Sequence, residues 1–196
     1  IRDFDATRSV DLMTAEKTGL AYRPPAQRVA FTFRHLLSQV QIIGRIDPAL
    51  AASGVSATIR SVKLYGMPGT GECAVQPGEN GTWSLGEATD ADNPFARDTV
   101  SRELTPAGIS VFADDPLLFP QQVGDGFVLE IEYEYAGNGT SGTFAKSINL
   151  AGAGIGTWEA GCSYRYTFTV GSEYILFEKP EVIPWSSASG GNITVE

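Results

Sequence analysis

Phe127-Val128-Leu129-Glu130-Ile131-Glu132-Tyr133-Glu134-Tyr135 decides the fold class. Phe127, Leu129, Ile131, Tyr133 and Tyr135 occupy alternate positions, and Glu130, Glu132 and Glu134 fill the gaps. A helix would scatter these side chains around its circumference. An extended strand sorts them onto two faces, one for a core and one for water, as in a half-buried antiparallel sheet. Cys162 to Val170 repeats the pattern, with Cys162, Tyr164, Tyr166, Phe168 and Val170 alternating with Ser163, Arg165, Thr167 and Thr169. Gly171-Ser172 then predicts a tight turn into Tyr174 to Phe177, closing a hairpin.

The same period extends through the chain. Val29, Phe31 and Phe33 alternate with Ala30, Thr32 and Arg34, which predicts a strand with one apolar face, and Val40, Ile42 and Ile43 continue as a second apolar segment. Between Ala57 and Tyr65 the run is β-rich, but its apolar phase shifts between Ile59 and Val62. One extra residue reverses the faces of a strand, so the shift predicts a β-bulge. Turn residues punctuate these runs at Pro24-Pro25, Met67-Pro68-Gly69, Pro77-Gly78-Glu79-Asn80-Gly81 and Gly137-Asn138-Gly139. Helical signals are few and short. Val10 to Lys17 predicts two turns, and Asp47-Pro48-Ala49-Leu50-Ala51-Ala52 predicts a capped turn with Pro at its first position.

Many short strands with recurrent turns predict an all-β sandwich, and 22 Gly with 11 Pro in 196 residues suit that reading. No internal repeat is visible. Residues 1–26 read as a lead-in or interdomain segment and 27–196 as one β-sandwich domain.

Composition narrows the function. The net charge of −9, from 14 Lys and Arg against 23 Asp and Glu, repels a phosphate backbone, and there is no basic run, so nucleic acid is not an expected partner. No apolar stretch reaches the roughly 18 residues that span a bilayer. Cys73 and Cys162 are too far apart for a CxxC redox or zinc motif, which leaves a disulfide or two free thiols.

No catalytic constellation emerges. His35 is the single histidine, and no GxSxG elbow accompanies it. It follows a strand, where a structural hydrogen bond is its expected role. His35, Cys73 and Cys162 lack metal-ligand spacing. Asp114-Asp115 and the group Asp90, Asp92 and Asp98 read as solvated loop charge, since an EF-hand would need a central Gly and a later Glu. Gly152-Ala153-Gly154-Ile155-Gly156 lacks the third Gly of a dinucleotide fingerprint and a following helix. No cofactor is expected. Trp83, Trp158 and Trp185 sit near segment ends, where they can stack on sugar rings or plug a sandwich.

Asp11-Leu12-Met13-Thr14-Ala15, followed by Val29-Ala30-Phe31-Thr32-Phe33-Arg34-His35-Leu36-Leu37-Ser38-Gln39-Val40, resembles the start of the C-terminal domain of the fimbrillin-like proteins of Bacteroidetes. Leu118-Phe119-Pro120-Gln121 is similar to its internal "l.PQ" element. Trp158-Glu159-Ala160-Gly161-Cys162-Ser163-Tyr164-Arg165-Tyr166 is similar to its "w..G..Y.Y" strand, and Val182-Ile183-Pro184-Trp185 to its closing "I..W". Cys162 departs from the pattern, where a lysine or another residue is usual.

The resemblance implies a transthyretin-like antiparallel sandwich with Greek-key connections and few short helical turns. It also implies another sandwich domain preceding Ile1, export as a lipoprotein, and a place in outer-membrane fimbriae. The partners it implies are other fimbrial subunits, with a host or bacterial surface protein or glycan as adhesion ligand. Family members that polymerise do so by strand addition, and the C-terminal stretch here has a suitable layout. Ile183 and Trp185 precede a spacer, Ser186-Ser187-Ala188-Ser189-Gly190-Gly191, and Asn192-Ile193-Thr194-Val195-Glu196 then places Ile193 and Val195 on one face. A reaching spacer and a short strand are what a donor needs. Asp98-Thr99-Val100 resembles the Asp-Thr-aliphatic acceptor of Bacteroidetes O-glycosylation, which makes Thr99 a candidate acceptor in an expected polar loop. The alternative function is a surface carbohydrate-binding module, and a hydrolase on a β-sandwich is the third.

Overall fold

The computed structural model describes residues 1–17, 31–76, 81–137, 139–172 and 174–185. In chain order the first strands are β1 (Phe4–Asp5), β2 (Met13–Ala15), β3 (Phe33–His35), β4 (Ser38–Ile46), β5 (Ser56–Tyr65), β6 (Thr70–Ala74), β7 (Thr82–Leu85) and β8 (Ala96–Glu103). There follow β9 (Ile109–Ser110), β10 (Leu117–Leu118), β11 (Gln121–Gln122), β12 (Val128–Gly137), β13 (Thr140–Asn149), β14 (Thr157–Trp158), β15 (Cys162–Val170), β16 (Ile175–Phe177) and β17 (Glu181–Pro184). Helix α1 (Pro48–Ala52) is one capped turn, with the Asp47 carboxylate accepting from the amides of Ala49 and Leu50.

Two sheets make the sandwich. One has the order β13-β12-β5-β8, antiparallel throughout. The other runs β10-β4-β15, with β16 and β17 lying end to end along the far side of β15 and β9 added to β4. Their inward side chains join in one apolar core that includes Ile42, Ile59, Val62, Leu64, Leu129, Ile131, Tyr166 and Phe168. Gly44 lets the sheets approach: a Cβ there would lie 2.8 Å from both Leu104 and Phe168. The expected all-β sandwich is therefore what the chain forms.

The two most legible strands fold as their patterns dictate. On β12, Leu129, Ile131 and Tyr133 are buried and Glu132 is exposed, and its neighbour Phe127 is also buried. The β5 register shifts around Arg60 against both β12 and β8, which is the bulge the apolar phase shift predicts. The β15–β16 hairpin closes with the Gly171 amide donating to the Tyr174 carbonyl.

Four expectations are corrected. First, Val10 to Lys17 is not helical: Met13–Ala15 is strand β2, paired with β3. A partner distant in sequence overrides a short helical preference, because two isolated turns cannot repay helix nucleation. Second, Phe31 and Phe33 are about half exposed, at 52% and 51%, because among the described residues β3 pairs only with β2 and no second layer covers it. Third, β4 and β15 run parallel over eight register positions, Ser163↔Gln39 to Val170↔Ile46, so the sandwich is not wholly antiparallel. These strands come from opposite halves of the chain, and a long connection allows either direction.

Fourth, the expected lead-in is built into the fold over residues 1–17. Strand β1 pairs with β6, in the three-stranded sheet β1-β6-β7, and Ala6 is fully buried with its amide bonded to the Gly69 carbonyl. Phe4 packs against Trp83 and Phe119, carrying this small sheet onto the main core. The expected turns at Pro24-Pro25 and over 77–80, together with Val29, lie outside the described residues.

Candidate functional site

The C-terminal edge of the second sheet is where the expected assembly residues fall. Strand β17 lies antiparallel to the first half of β15, with Cys162↔Pro184, Ser163↔Ile183, Tyr164↔Val182 and Arg165↔Glu181 in register. Buried Pro180, between β16 and β17, cannot donate to a ladder, so the edge is made of two short pieces rather than one continuous strand. Side-chain anchorage on β17 is slight. Val182 is 58% exposed, Ile183 is half-buried, and Glu181 reaches Arg165 at 3.4 Å in an exposed ion pair.

Trp185 is the exception. Its indole stacks on the His35 imidazole with ring centroids 3.9 Å apart and planes 9° from parallel. Its amide donates to the Gly161 carbonyl at 3.1 Å, and the Gly161 amide donates to the Leu37 carbonyl at 2.9 Å. The short turn before β15 thereby holds the start of β4 and the end of β17 together. His35 lies at the end of β3, where its Nδ1 meets both oxygens of Asp11 at 3.0 and 3.1 Å. A carboxylate only accepts, so Nδ1 carries the hydrogen and donates. Nε2 is buried and finds no hydrogen-bond partner among the described residues. The structural hydrogen bond expected of His35 is present.

Ile183 and Trp185 thus share the β17 edge, while Ile193, Val195 and the spacer from Ser186 lie outside the described residues. Thr99 is exposed but sits within β8, opposite Ser61 of β5, rather than in a polar loop. The β-branched run Thr99-Val100 propagates a strand more readily than a turn. The disulfide is not formed: Cys73 and Cys162 are free. Cys73 belongs to β6 in the small sheet and Cys162 opens β15 in the large one. Burial pushes the Cys73 thiol up, away from the reactive thiolate form.

The residues weighed for chemistry have structural work. Asp90 accepts from the amides of Asp92 and Asn93. Asp98 accepts from the Ala113 amide and pairs with Arg102, and Asp115 accepts from the Gln41 side chain. Among the described residues no group of three or more His, Cys, Asp or Glu side chains is placed to hold a metal ion. An open cleft of about 700 Å³ is lined by Asp5, Thr7, Thr70, Glu87 and Arg97 among others, and there the Thr7 hydroxyl donates to the Asp5 carboxylate at 2.6 Å as part of the cap on the short turn Ala6–Arg8. Trp158 is fully buried, donating from Nε1 to the Tyr166 hydroxyl at 3.0 Å, and Trp83 packs on Phe119. Trp158 and Trp83 pack into or against the core and Trp185 stacks on His35, so the three form no exposed row.

Sequence reasoning singled out both His35 and Trp185 but did not bring them together. One pairs with the N-terminal ribbon β2–β3 and the other ends the C-terminal edge, and no local spacing relates them.

A fimbrillin-like family profile matches residues 5–185. The chain belongs to the fimbrillin-like family. Members of that family are non-catalytic structural subunits of fimbriae. No curated protein matches the chain. Among solved structures it is similar to a fimbrial protein from Bacteroides vulgatus, with a TM-score of 0.52 and 15% identity over 80% of this chain and 56% of that one. It is also similar to a candidate cell adhesion protein from Parabacteroides distasonis, with a TM-score of 0.52 and 12% identity over 81% of this chain and 55% of that one. At such identities the likeness is one of fold. The chain spans just over half the length of these two structures.

Proposed function

We propose that this fimbrillin-like chain is a structural subunit of a cell-surface fimbria anchored at the outer membrane. In this reading it joins its neighbours by strand addition and supplies the donor from its C-terminal segment. The observation that carries the donor role is the β17 edge: four register positions and one weak ion pair hold it to β15, and a single aromatic contact ties its end to His35 of β3. A strand held this lightly can leave its own sheet and pair elsewhere at small cost, and the groups it exposes form a ladder with any receptive edge. The sequence beyond it supports the reading, since a Ser/Gly spacer leads to the alternating Asn192 to Glu196. In this reading other subunits are its partners, and membership of the fimbrillin-like family supports a role in a surface appendage. No helix among the described residues is long and apolar enough to cross a membrane.

The test is a full-length subunit lacking Ser186 to Glu196, matured at its natural N-terminus and viewed by electron microscopy. The truncated protein is expected to stay folded by circular dichroism and to form no filaments. Filaments of normal length from it would refute the donor role.

A further inference from the structure

From the stack of Trp185 on His35, and the fixing of that ring by Asp11, we infer that these residues form a latch that sets how readily β17 leaves its sheet. The ring is placed from both ends of the chain. β3 carries His35 next to Leu36 and Leu37, both fully buried, so the imidazole cannot drift from the core. The Leu36 amide donates to the Leu12 carbonyl at 2.8 Å, which keeps the Asp11 segment alongside. Asp11 then fixes the ring plane through Nδ1, and that plane is the one Trp185 lies on, at 9°. An imidazole held flat offers an indole a full face.

The latch controls the strand because little else does. Val182 points to water and the Arg165–Glu181 pair is exposed, so neither resists peeling. Once Trp185 lifts, its amide loses Gly161 and the end of β17 frays toward Pro180. The inference that β17 opens through this latch stands on the geometry alone. Its bearing on fimbria growth rests on the donor reading above.

Amide hydrogen exchange of the isolated chain tests the latch. In His35→Ala, the amides of residues 181–183 and 185 are expected to exchange roughly tenfold faster, while Leu129 and Ile131 on β12 keep their native rates. His35→Phe restores an aromatic face and is expected to recover most of the protection. Asp11→Ala leaves the ring present but unfixed, and is expected to loosen β17 by several-fold. Native exchange on β17 in His35→Ala would overturn the inference. So would acceleration equal on β12 and β17, which marks general destabilisation, or release by His35→Phe as large as by His35→Ala. A latch verified by exchange, in a full-length subunit whose Ser186–Glu196 deletion still polymerises, would leave the latch standing and remove the donor reading.

Discussion

Replacing Ile131 by Ala probes the sandwich at its centre. Ile131 is fully buried on β12, between Val62 of β5 and Lys146 of β13. The change removes three carbons, worth about 0.8 kcal/mol each in lost transfer free energy, or about 2.4 kcal/mol together. The remaining void adds to that, because strands held in ladders on both sides of β12 cannot collapse into it, and the total should fall at about 2–5 kcal/mol. Glu132→Ala, one position along, is the control. Glu132 is exposed on the opposite face, so its loss should stay within about 0.5 kcal/mol. Urea melts followed by circular dichroism read both, with the m-value checking that the unfolded state is unchanged. A native midpoint for Ile131→Ala, or equal losses for the two variants, would refute the two-faced reading of β12 on which the fold assignment rests.

Gly44→Ala should cost about 1–3 kcal/mol in the same melts, because its Cβ would meet Leu104 and Phe168 at 2.8 Å in a filled core. Alkali should destabilise the domain through Tyr166, whose hydroxyl burial pushes up to about 12, although the Trp158 hydrogen bond pulls against it. An unfolded tyrosine ionises near pH 10, so the stability Tyr166 contributes is intact below about pH 10. It falls by about 1.4 kcal/mol per pH unit as pH rises toward 12. Tyr166→Phe should flatten that part of the profile, and an unchanged alkaline slope would count against the buried hydroxyl.

Much of the sandwich was legible because burial on one face leaves a period-two trace. Leu129, Ile131 and Tyr133 on β12 and Tyr164, Tyr166 and Phe168 on β15 carry that trace, and the slip between Ile59 and Val62 marked the bulge at Arg60. Pairing was harder to read. Periodicity says which residues share a face, and it is silent on whether another layer covers that face. Phe31 and Phe33 therefore kept an apolar alternation while remaining half exposed. The parallel contact of β4 with β15 and the strand at Met13–Ala15 depend on partners distant in the chain, which local preference cannot name. The candidate site was partly legible: Ile183 and Trp185 stood out as a closing motif. The role of His35 in holding Trp185 was hidden, because only the folded sheet brings the two together.

The sandwich defends its edges unequally, and this bears on how such a subunit could join others. β8 guards its edge with Arg97, Asp98, Arg102 and Glu103, four charges in eight residues that disfavour a second chain. β13 is the opposite edge of that sheet. It runs for ten residues with Lys146 as its one charge, and among the described residues no strand covers its outer side. The second sheet solves the problem differently. Its far side is closed by β16 and β17, two pieces of the same chain end, with Pro180 breaking the ladder between them. A continuous strand must lose all its bonds to open, whereas a broken one can open piece by piece. The outer piece, β17, is also the one whose departure disturbs least of the core: it faces Cys162 to Arg165, whereas β16 faces the fully buried Phe168 and Val170 and packs Phe177 on Tyr166 and Phe168. Under the donor reading, an edge covered by its own loosely held end is protected while the chain is alone and would open when a better partner arrives. Such an arrangement would keep a donor strand paired until assembly.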